Sequence, residues 1–257
     1  MGPTNANGDV QSRVRRFVTY LSEKGGYEQY WIQLHGESFN RTEKETVIKY
    51  CIPVGKEHVA LDAGCGEGRL TFALAQMYGH VYAIDFSEQS CECLRRNAQN
   101  SGVENITTRF QDIGNKINLP LVDTIVLVQV LQHFDNASDR IRALRNLREC
   151  LKIGGRILIT VFNYDRVWNK VRRMKQDVYE TSGYPYYHYF SIQELEGLLA
   201  TSGFGNIRMR GCMNLPAFVH ESVLGKLLWK WDVRLSSFAL SRYLGIYLLA
   251  TAERTAP

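Results

Sequence analysis

The chain has 257 residues, 45% hydrophobic and 22% charged, with a formal charge of +5. That length suits one α/β domain with embellishments and is short for two. The composition is that of a globular protein that needs neither metal nor disulfide to hold a core, and no apolar run approaches the roughly 20 residues that span a bilayer.

Residues 1–9 are polar, lack the apolar core of a secretory signal and read as a disordered lead-in, so a cytoplasmic location is expected. The six cysteines, at 51, 65, 91, 93, 150 and 212, form no CxxC pair, and no His cluster has zinc-ligand spacing. Reduced thiols and no bound metal are expected. Residues 10–57 are assigned to an N-terminal helical cap.

From residue 58 short β-rich runs alternate with helical patterns. A strand over 58–62 precedes a helix over 69–78, and a strand over 81–85 precedes a helix over 87–101, where Cys91, Leu94 and Ala98 keep helical spacing. Strands follow over 106–112 and 124–131, the second nearly all apolar, as a strand buried on both faces should be. A helix over 137–151 carries Ile141, Leu144 and Leu147 on one side. Gly154-Gly155 is expected to end it as a left-handed cap, before a strand over 156–162. Residues 163–190 form a lid-like insertion. Beyond it, a helix over 191–202 has Ser191 as N-cap and Glu194 at the capping-box position. Strands over 207–213 and 246–252 flank a helical insertion over 217–243. Strand–helix–strand repetition predicts one doubly wound, mostly parallel sheet with helices on both faces.

The strongest local signal is Asp62-Ala63-Gly64-Cys65-Gly66-Glu67-Gly68-Arg69, which ends the first strand and opens a helix. Glycines there let the backbone turn sharply and let a ligand approach without a Cβ in the way. The pattern is G-x-G-x-G, and Arg69 stands where a dinucleotide fingerprint has its third glycine. Asp85 ends the second strand, where a carboxylate can accept both hydroxyls of a ribose. Asp112 ends the third, where an acceptor can meet an adenine amino group. Read singly, either aspartate is equally a helix cap or a solvated strand end.

LDAGCGEGRLT, YAIDFS, FQDI and VDTIVLVQVLQHF resemble the successive motifs of class I S-adenosylmethionine-dependent methyltransferases, the group that includes quinone and small-molecule methylating enzymes. The resemblance covers residues 59–162 well and the C-terminal third in outline. It implies a Rossmann-like α/β fold with a seven-stranded sheet and an antiparallel final strand. It also implies S-adenosyl-L-methionine as cofactor and S-adenosyl-L-homocysteine as product. Carried onto matching positions, Asp62, Gly64, Cys65, Gly66 and Gly68 border the methionine part. Asp85, Phe86 and Ser87 take the ribose and one adenine face. Asp112 and Ile113 flank the adenine, and Gln129 and Val130 lie near the methionine moiety. N-terminal helices of such enzymes fold across the cofactor, which makes Trp31 a candidate to close its pocket and Arg41 a candidate to approach the cofactor carboxylate.

Methyl transfer from a sulfonium is an in-line displacement that chiefly needs alignment, although a hydroxyl acceptor benefits from a base. His133 is the candidate base, because it follows the fourth strand and titrates near neutrality. Asn163, Tyr164, Trp168, Tyr187 and His188 are candidate acceptor contacts. Between Arg140 and Lys175 eleven Lys or Arg face two acids, Glu149 and Asp165. Val167, Trp168, Val171, Met174 and Val178 recur at helical spacing among these cations and predict a basic amphipathic helix. A helix packed on the domain, a lid over an aromatic pocket admitting an anionic substrate, and a peripheral membrane contact are all open readings. Trp229 and Trp231 read as core. The acceptor is expected to be a small molecule and no stable nucleic-acid partner is expected. The chain is expected to be a monomer or homodimer. A methyltransferase acting on tRNA, protein or lipid, a nucleotide-dependent oxidoreductase and a non-catalytic cofactor binder stand as alternatives.

Overall fold

The computed structural model describes residues 37–178 and 186–256. Helix α1 (Glu37–Tyr50) precedes β1 (Gly55–Ala63), α2 (Thr71–Met77), β2 (Tyr78–Asp85), α3 (Glu88–Asn100), β3 (Ile106–Phe110), β4 (Val122–Val128), α4 (Ala137–Cys150) and β5 (Leu151–Phe162). There follow α5 (Val167–Val171), the short strands β6 (Asp177–Val178) and β7 (Tyr187–His188), α6 (Ile192–Thr201) and β8 (Phe204–Cys212). Then come α7 (Ala217–His220), α8 (Val223–Leu235) and β9 (Tyr247–Arg254).

Seven strands form one sheet in the order β3-β2-β1-β4-β5-β9-β8. Neighbours are parallel from β3 to β5, and β9 runs antiparallel to both β5 and β8. This is the expected mostly parallel, Rossmann-like sheet. Strand order reverses at β1/β4, so a crevice opens at their carboxyl ends, where open α/β sheets bind ligands. β8 runs the same way as β5, so its carboxyl end joins that edge.

Alternate strand residues feed two cores. Leu61, Ile125, Leu127, Ile157 and Ile159 pack with Leu144 and Leu147 of α4 and Leu195 and Leu199 of α6. Their neighbours Ala60, Val126 and Leu158 pack on the other face with Val47 of α1 and Leu74 of α2. Every residue of β4 is buried, as two covered faces require. Side chains cap the helix starts: Ser87 accepts from Ser90 N, Asn136 from Asp139 N and Ser191 from Glu194 N.

Several expected boundaries move. β4 stops at Val128, because Gln129 takes a left-handed φ of 58° and the chain turns into a 3-10 segment, Leu131–His133. Gly154 has a left-handed φ of 77°, yet it caps no helix. α4 ends at Cys150, and Gly154 sits where β5 bulges away from β4 between the Val122–Leu151 and Thr124–Arg156 pairings. Glu194 does not close a capping box; its carboxylate meets Arg140 and His188 instead. The amphipathic helix expected over 167–178 is five residues long. Its apolar Val167, Trp168 and Val171 face solvent, and Asn169 is the buried side chain. Trp231, expected in the core, is 60% exposed.

Asn163 joins the end of β5 to the start of β9. Its Nδ2 donates to the carbonyls of Arg242 and Gly245, each at 2.8 Å, and its own carbonyl accepts from Asn169 Nδ2 at 2.7 Å. Asn163→Ala leaves two buried carbonyls unpaired and is expected to cost about 2–4 kcal/mol of stability, read as a lower urea midpoint.

Candidate functional site

The loop after β1 is held from below by the adjacent strand. Gly64 N and Cys65 N both donate to Ile84 O, at 2.7 and 3.0 Å. Asp85, at the end of β2, then clasps the loop: Oδ2 accepts from Gly66 N and Oδ1 from Ser87 N, both at 2.9 Å. Burial pushes its carboxyl above the usual range, against the N–H groups of Gly66, Ser87 and Phe86. A carboxylate has about four acceptor positions, so this clasp leaves capacity for a ligand's hydroxyls.

Two glycines differ in what surrounds them. A Cβ on Gly64 would meet Val130 Cγ2 at 2.2 Å, so Val130 packs on this backbone. A Cβ on Gly66, φ 52°, would meet nothing within 4 Å. The open side of Gly66 is a cradle that a ligand can enter and a side chain would fill. Buried acceptors without a hydrogen-bond partner lie along the same edge of the sheet: Gln132 Oε1, after β4, and Glu43 Oε1. Gln132 Nε2 donates to Gln129 Oε1 at 2.7 Å, and Gln129 Nε2 to Thr160 Oγ1 at 3.3 Å. A group bearing N–H donors and vicinal hydroxyls, as S-adenosylmethionine does, fits this set.

Other expected cofactor residues serve the loop from within the fold. Asp62 is buried, and accepts from Thr71 Oγ1 at 2.6 Å, tying β1 to α2. Asp112 Oδ1 accepts from Gly114 N at 2.7 Å, shaping a turn, and Ile113 belongs to the core. Phe86 and Ser87 are half-buried beside Asp85, and Cys65 is buried. Gly68 is buried with φ 104°. Arg41 does not approach the glycine loop: it is exposed, with its guanidinium 4.6 Å over the Trp229 ring. Arg69 makes the contact instead. Its Nη2 pairs with Glu43 Oε2 at 2.8 Å, and its Nη1 donates to Asn40 Oδ1 at 2.9 Å, pinning α1 to the loop. Trp31 lies outside the described residues.

The same helix carries Phe39 into an aromatic cluster at the carboxyl edge. Phe39 meets Tyr247 edge-on at 6.2 Å and His220 at 5.8 Å, and Phe162 lies 5.5 Å from Tyr247. Tyr187 and Tyr189 each lie 5.1 Å from Phe162. Chain alternation after residue 185 explains this. Tyr186, His188 and Phe190 turn inward and are buried, while Tyr187 and Tyr189 point to Phe162. Phe162 and Tyr247 were not singled out from sequence, and Tyr189 stood there only as part of the aromatic run 184–190; the sheet order brings them together with Phe39.

Two expected acceptor contacts are structural here. Asn163 has no exposed surface, and its Nδ2 is consumed in the β5–β9 joint while its Oδ1 has no hydrogen-bond partner. His188 is clamped between carboxylates, Nδ1 at 2.7 Å from Asp177 and Nε2 at 2.9 Å from Glu194. Arg140 pairs with the same Glu194 at 3.2 Å, and Tyr186 donates to Asp177 at 2.7 Å. Tyr164 is half-buried under Lys170, 4.3 Å from its ring, and Trp168 is 54% exposed. His133 is half-buried at the rim, with Nδ1 3.4 Å from Tyr186 O. Burial pushes its pKa below the ordinary value, against the carbonyls of Tyr186 and Gln129, which favour the proton. Its imidazole is therefore neutral at pH 7.

Residues 55–203, more than half of the chain, match the family described as "Methyltransferase domain". A putative methyltransferase of Encephalitozoon cuniculi is 27% identical over 58% of this chain and 71% of its own length. A ubiquinone biosynthesis O-methyltransferase of Xylella fastidiosa is 28% identical over 60% of each chain, so the match spans under two thirds of that enzyme. The fold is similar to that of a Burkholderia thailandensis 1,6-didemethyltoxoflavin-N1-methyltransferase solved with its substrate and S-adenosylhomocysteine. That comparison has a TM-score of 0.63 at 18% identity and covers all of this chain and 93% of the other.

Burial pushes the Asp62 carboxyl up to about 6, against the Thr71 hydroxyl and the Arg69 guanidinium and with Asp85 adding to the rise. Between the unfolded value of 3.8 and about 6 the folded chain keeps a proton the unfolded chain has released. The stability that this group contributes is therefore fully present below the window and is lost as pH rises through it, by on the order of 3 kcal/mol. Asp62→Asn keeps an acceptor for Thr71 and removes this slope. Urea midpoints measured near pH 4 and near pH 7 should lie closer together in the variant than in the parent.

Proposed function

This chain belongs to the methyltransferase-domain family, the class I S-adenosylmethionine-dependent enzymes, and we propose that it methylates an apolar or aromatic small molecule held against its aromatic cluster. The observation that carries this reading is the junction made by α1, which ties the glycine loop through Arg69 to the ring of Phe39 beside Tyr247 and Phe162. The similarity to a ubiquinone biosynthesis O-methyltransferase supports an acceptor of that apolar, ring-bearing kind. Family membership sets aside the oxidoreductase reading, as does Arg69, which occupies the third dinucleotide glycine and serves α1 instead.

Bound cofactor supplies a methyl group on a positively charged sulfur that leaves as a neutral thioether. Asp85 accepts the ribose hydroxyls while it holds the loop. Gly66 leaves room for the methionine part, and the unpaired oxygens of Gln132 and Glu43 are acceptors for its ammonium. Phe86, Asp112 and Ile113 would border the adenine. Phe162, Tyr187, Tyr189 and Tyr247 hold the acceptor and exclude water, and such alignment alone can supply about 7–11 kcal/mol. When the acceptor is a hydroxyl, His133 takes its proton. With Nδ1–H donating to Tyr186 O, Nε2 carries the free electron pair.

Calorimetry with S-adenosylhomocysteine, using NAD as control, tests the cofactor site. One-site binding of the former alone is expected, weakened about ten- to hundredfold by Asp85→Ala as a charged acceptor is lost. Gly66→Ala meets no opposing atom but is strained at φ 52°, so it should lose about 1–2 kcal/mol of stability and bind poorly because the methyl fills the cradle. Binding of NAD alone would overturn the assignment. For a hydroxyl acceptor, kcat should be level through neutral pH and fall only in acid, below the ordinary imidazole range, as His133 gains a proton, and His133→Asn should abolish that limb.

A further inference from the structure

The helical insertion between β8 and β9 presents large apolar side chains to solvent. Leu224, Leu227 and Trp231 recur at i, i+3 and i+7 on α8 and are 57%, 69% and 60% exposed. Phe218, Val223, Phe238 and Leu240 around them are more than 60% exposed. Soluble monomers rarely leave so many apolar groups together without a partner. Nearby charge is one-sided. Lys226, Lys230 and Arg234 are exposed on α8, while its single acid, Asp232, is wholly buried, accepting from Asn214 N and Leu215 N. Glu221 is the one exposed acid between residues 217 and 244.

A second cluster of the same character adjoins this one. Arg166 Nε donates to Leu244 O at 3.1 Å, and Asn163 bonds Arg242 O and Gly245 O, which fastens the start of α5 to the end of the insertion. Exposed Val167, Trp168 and Val171 follow, interleaved with exposed Lys170, Arg172, Arg173 and Lys175. Asp165 pairs with Lys170 at 2.9 Å. Both segments leave the carboxyl edge of the sheet, one after Phe162 and the other before Tyr247, the two rings assigned above to the acceptor wall.

We propose that these segments form a basic, tryptophan-bearing platform that docks the protein on an anionic lipid bilayer, with the mouth of the acceptor site beside the membrane. The proposal rests on the small-molecule reading and deepens it: the acceptor is a lipid-soluble molecule taken from the bilayer. Apolar side chains enter the acyl boundary while lysines and arginines meet anionic headgroups, as in helices that lie in the membrane interface. Cation excess favours lipid over a second copy of the chain. A two-fold interface would set this patch against itself, with Lys226, Lys230 and Arg234 facing their own kind.

Co-sedimentation of the full chain with vesicles tests this. The chain should pellet with phosphatidylcholine vesicles containing phosphatidylglycerol, about tenfold or more weakly with phosphatidylcholine alone, and less in high salt. Lys226→Glu with Lys230→Glu should weaken binding by about thirtyfold or more, and Leu227→Glu with Trp231→Glu should weaken it comparably. All these positions are exposed, so circular dichroism and affinity for S-adenosylhomocysteine should stay unchanged. Absence of pelleting, pelleting indifferent to both pairs of substitutions, or self-association in light scattering that Trp231→Glu abolishes would each overturn the proposal. Failure of the cofactor reading shows separately, as an unmodified chain that does not bind S-adenosylhomocysteine.

Discussion

The salt bridge between Arg69 and Glu43 is the joint on which the two halves of the site depend. Arg69 follows the glycine loop directly, and Glu43 is largely buried in α1, outside the alternating core. Removing one partner of a buried pair costs about 3–5 kcal/mol, because the other charge is left without compensation. Through this contact α1 takes a fixed seat on the carboxyl edge. Phe39 then reaches Tyr247 and His220, and Asn40 joins the same guanidinium. A glycine loop and an aromatic cluster that are far apart in the chain are thereby joined along one edge of the sheet.

A second polar cluster performs the same service on the far side of the crevice. Arg140 of α4 holds the carbonyl of Phe134 and pairs with Glu194 of α6, which bonds His188 of β7, itself bound to Asp177 of β6. Phe190 lies under Arg140, 4.9 Å from its guanidinium. Each member satisfies its neighbour, the condition under which a buried polar network fixes one arrangement. Its consequence at the surface of the crevice is the outward direction of Tyr187 and Tyr189. The basic residues that stand out in the sequence therefore divide. Arg140 is structural, whereas those of α5 and α8 stay in water beside exposed apolar groups. An apolar face left open in this way is the platform proposed above for a bilayer, and it adjoins the edge of the sheet that carries Phe162 and Tyr247.

The sequence by itself determined the sheet, its mostly parallel order and the edge that carries the glycine loop. Period-two and period-3.6 patterns need no distant partner to be read, and apolar strands can be buried only between two helical layers. Gly64, Gly66 and Asp85 were legible for the same reason: a tight turn after a strand demands glycine locally, and the acid ends the adjacent strand. What tertiary structure alone decided is who meets whom across the chain. Arg69 rather than Arg41 faces the loop, because the guanidinium seeks the buried carboxylate of Glu43 whereas Arg41 projects to Trp229. Asn163 and His188 looked available for an acceptor, but Asn163 pairs carbonyls at the β5–β9 joint, and the buried imidazole of His188 takes its partners from the more exposed carboxylates of Asp177 and Glu194. The stripe Val167–Trp168–Val171 kept its spacing and turned outward, because Asn169 was needed at the Asn163 carbonyl. Periodicity specifies that a helix has two faces; only packing assigns which of them the protein covers.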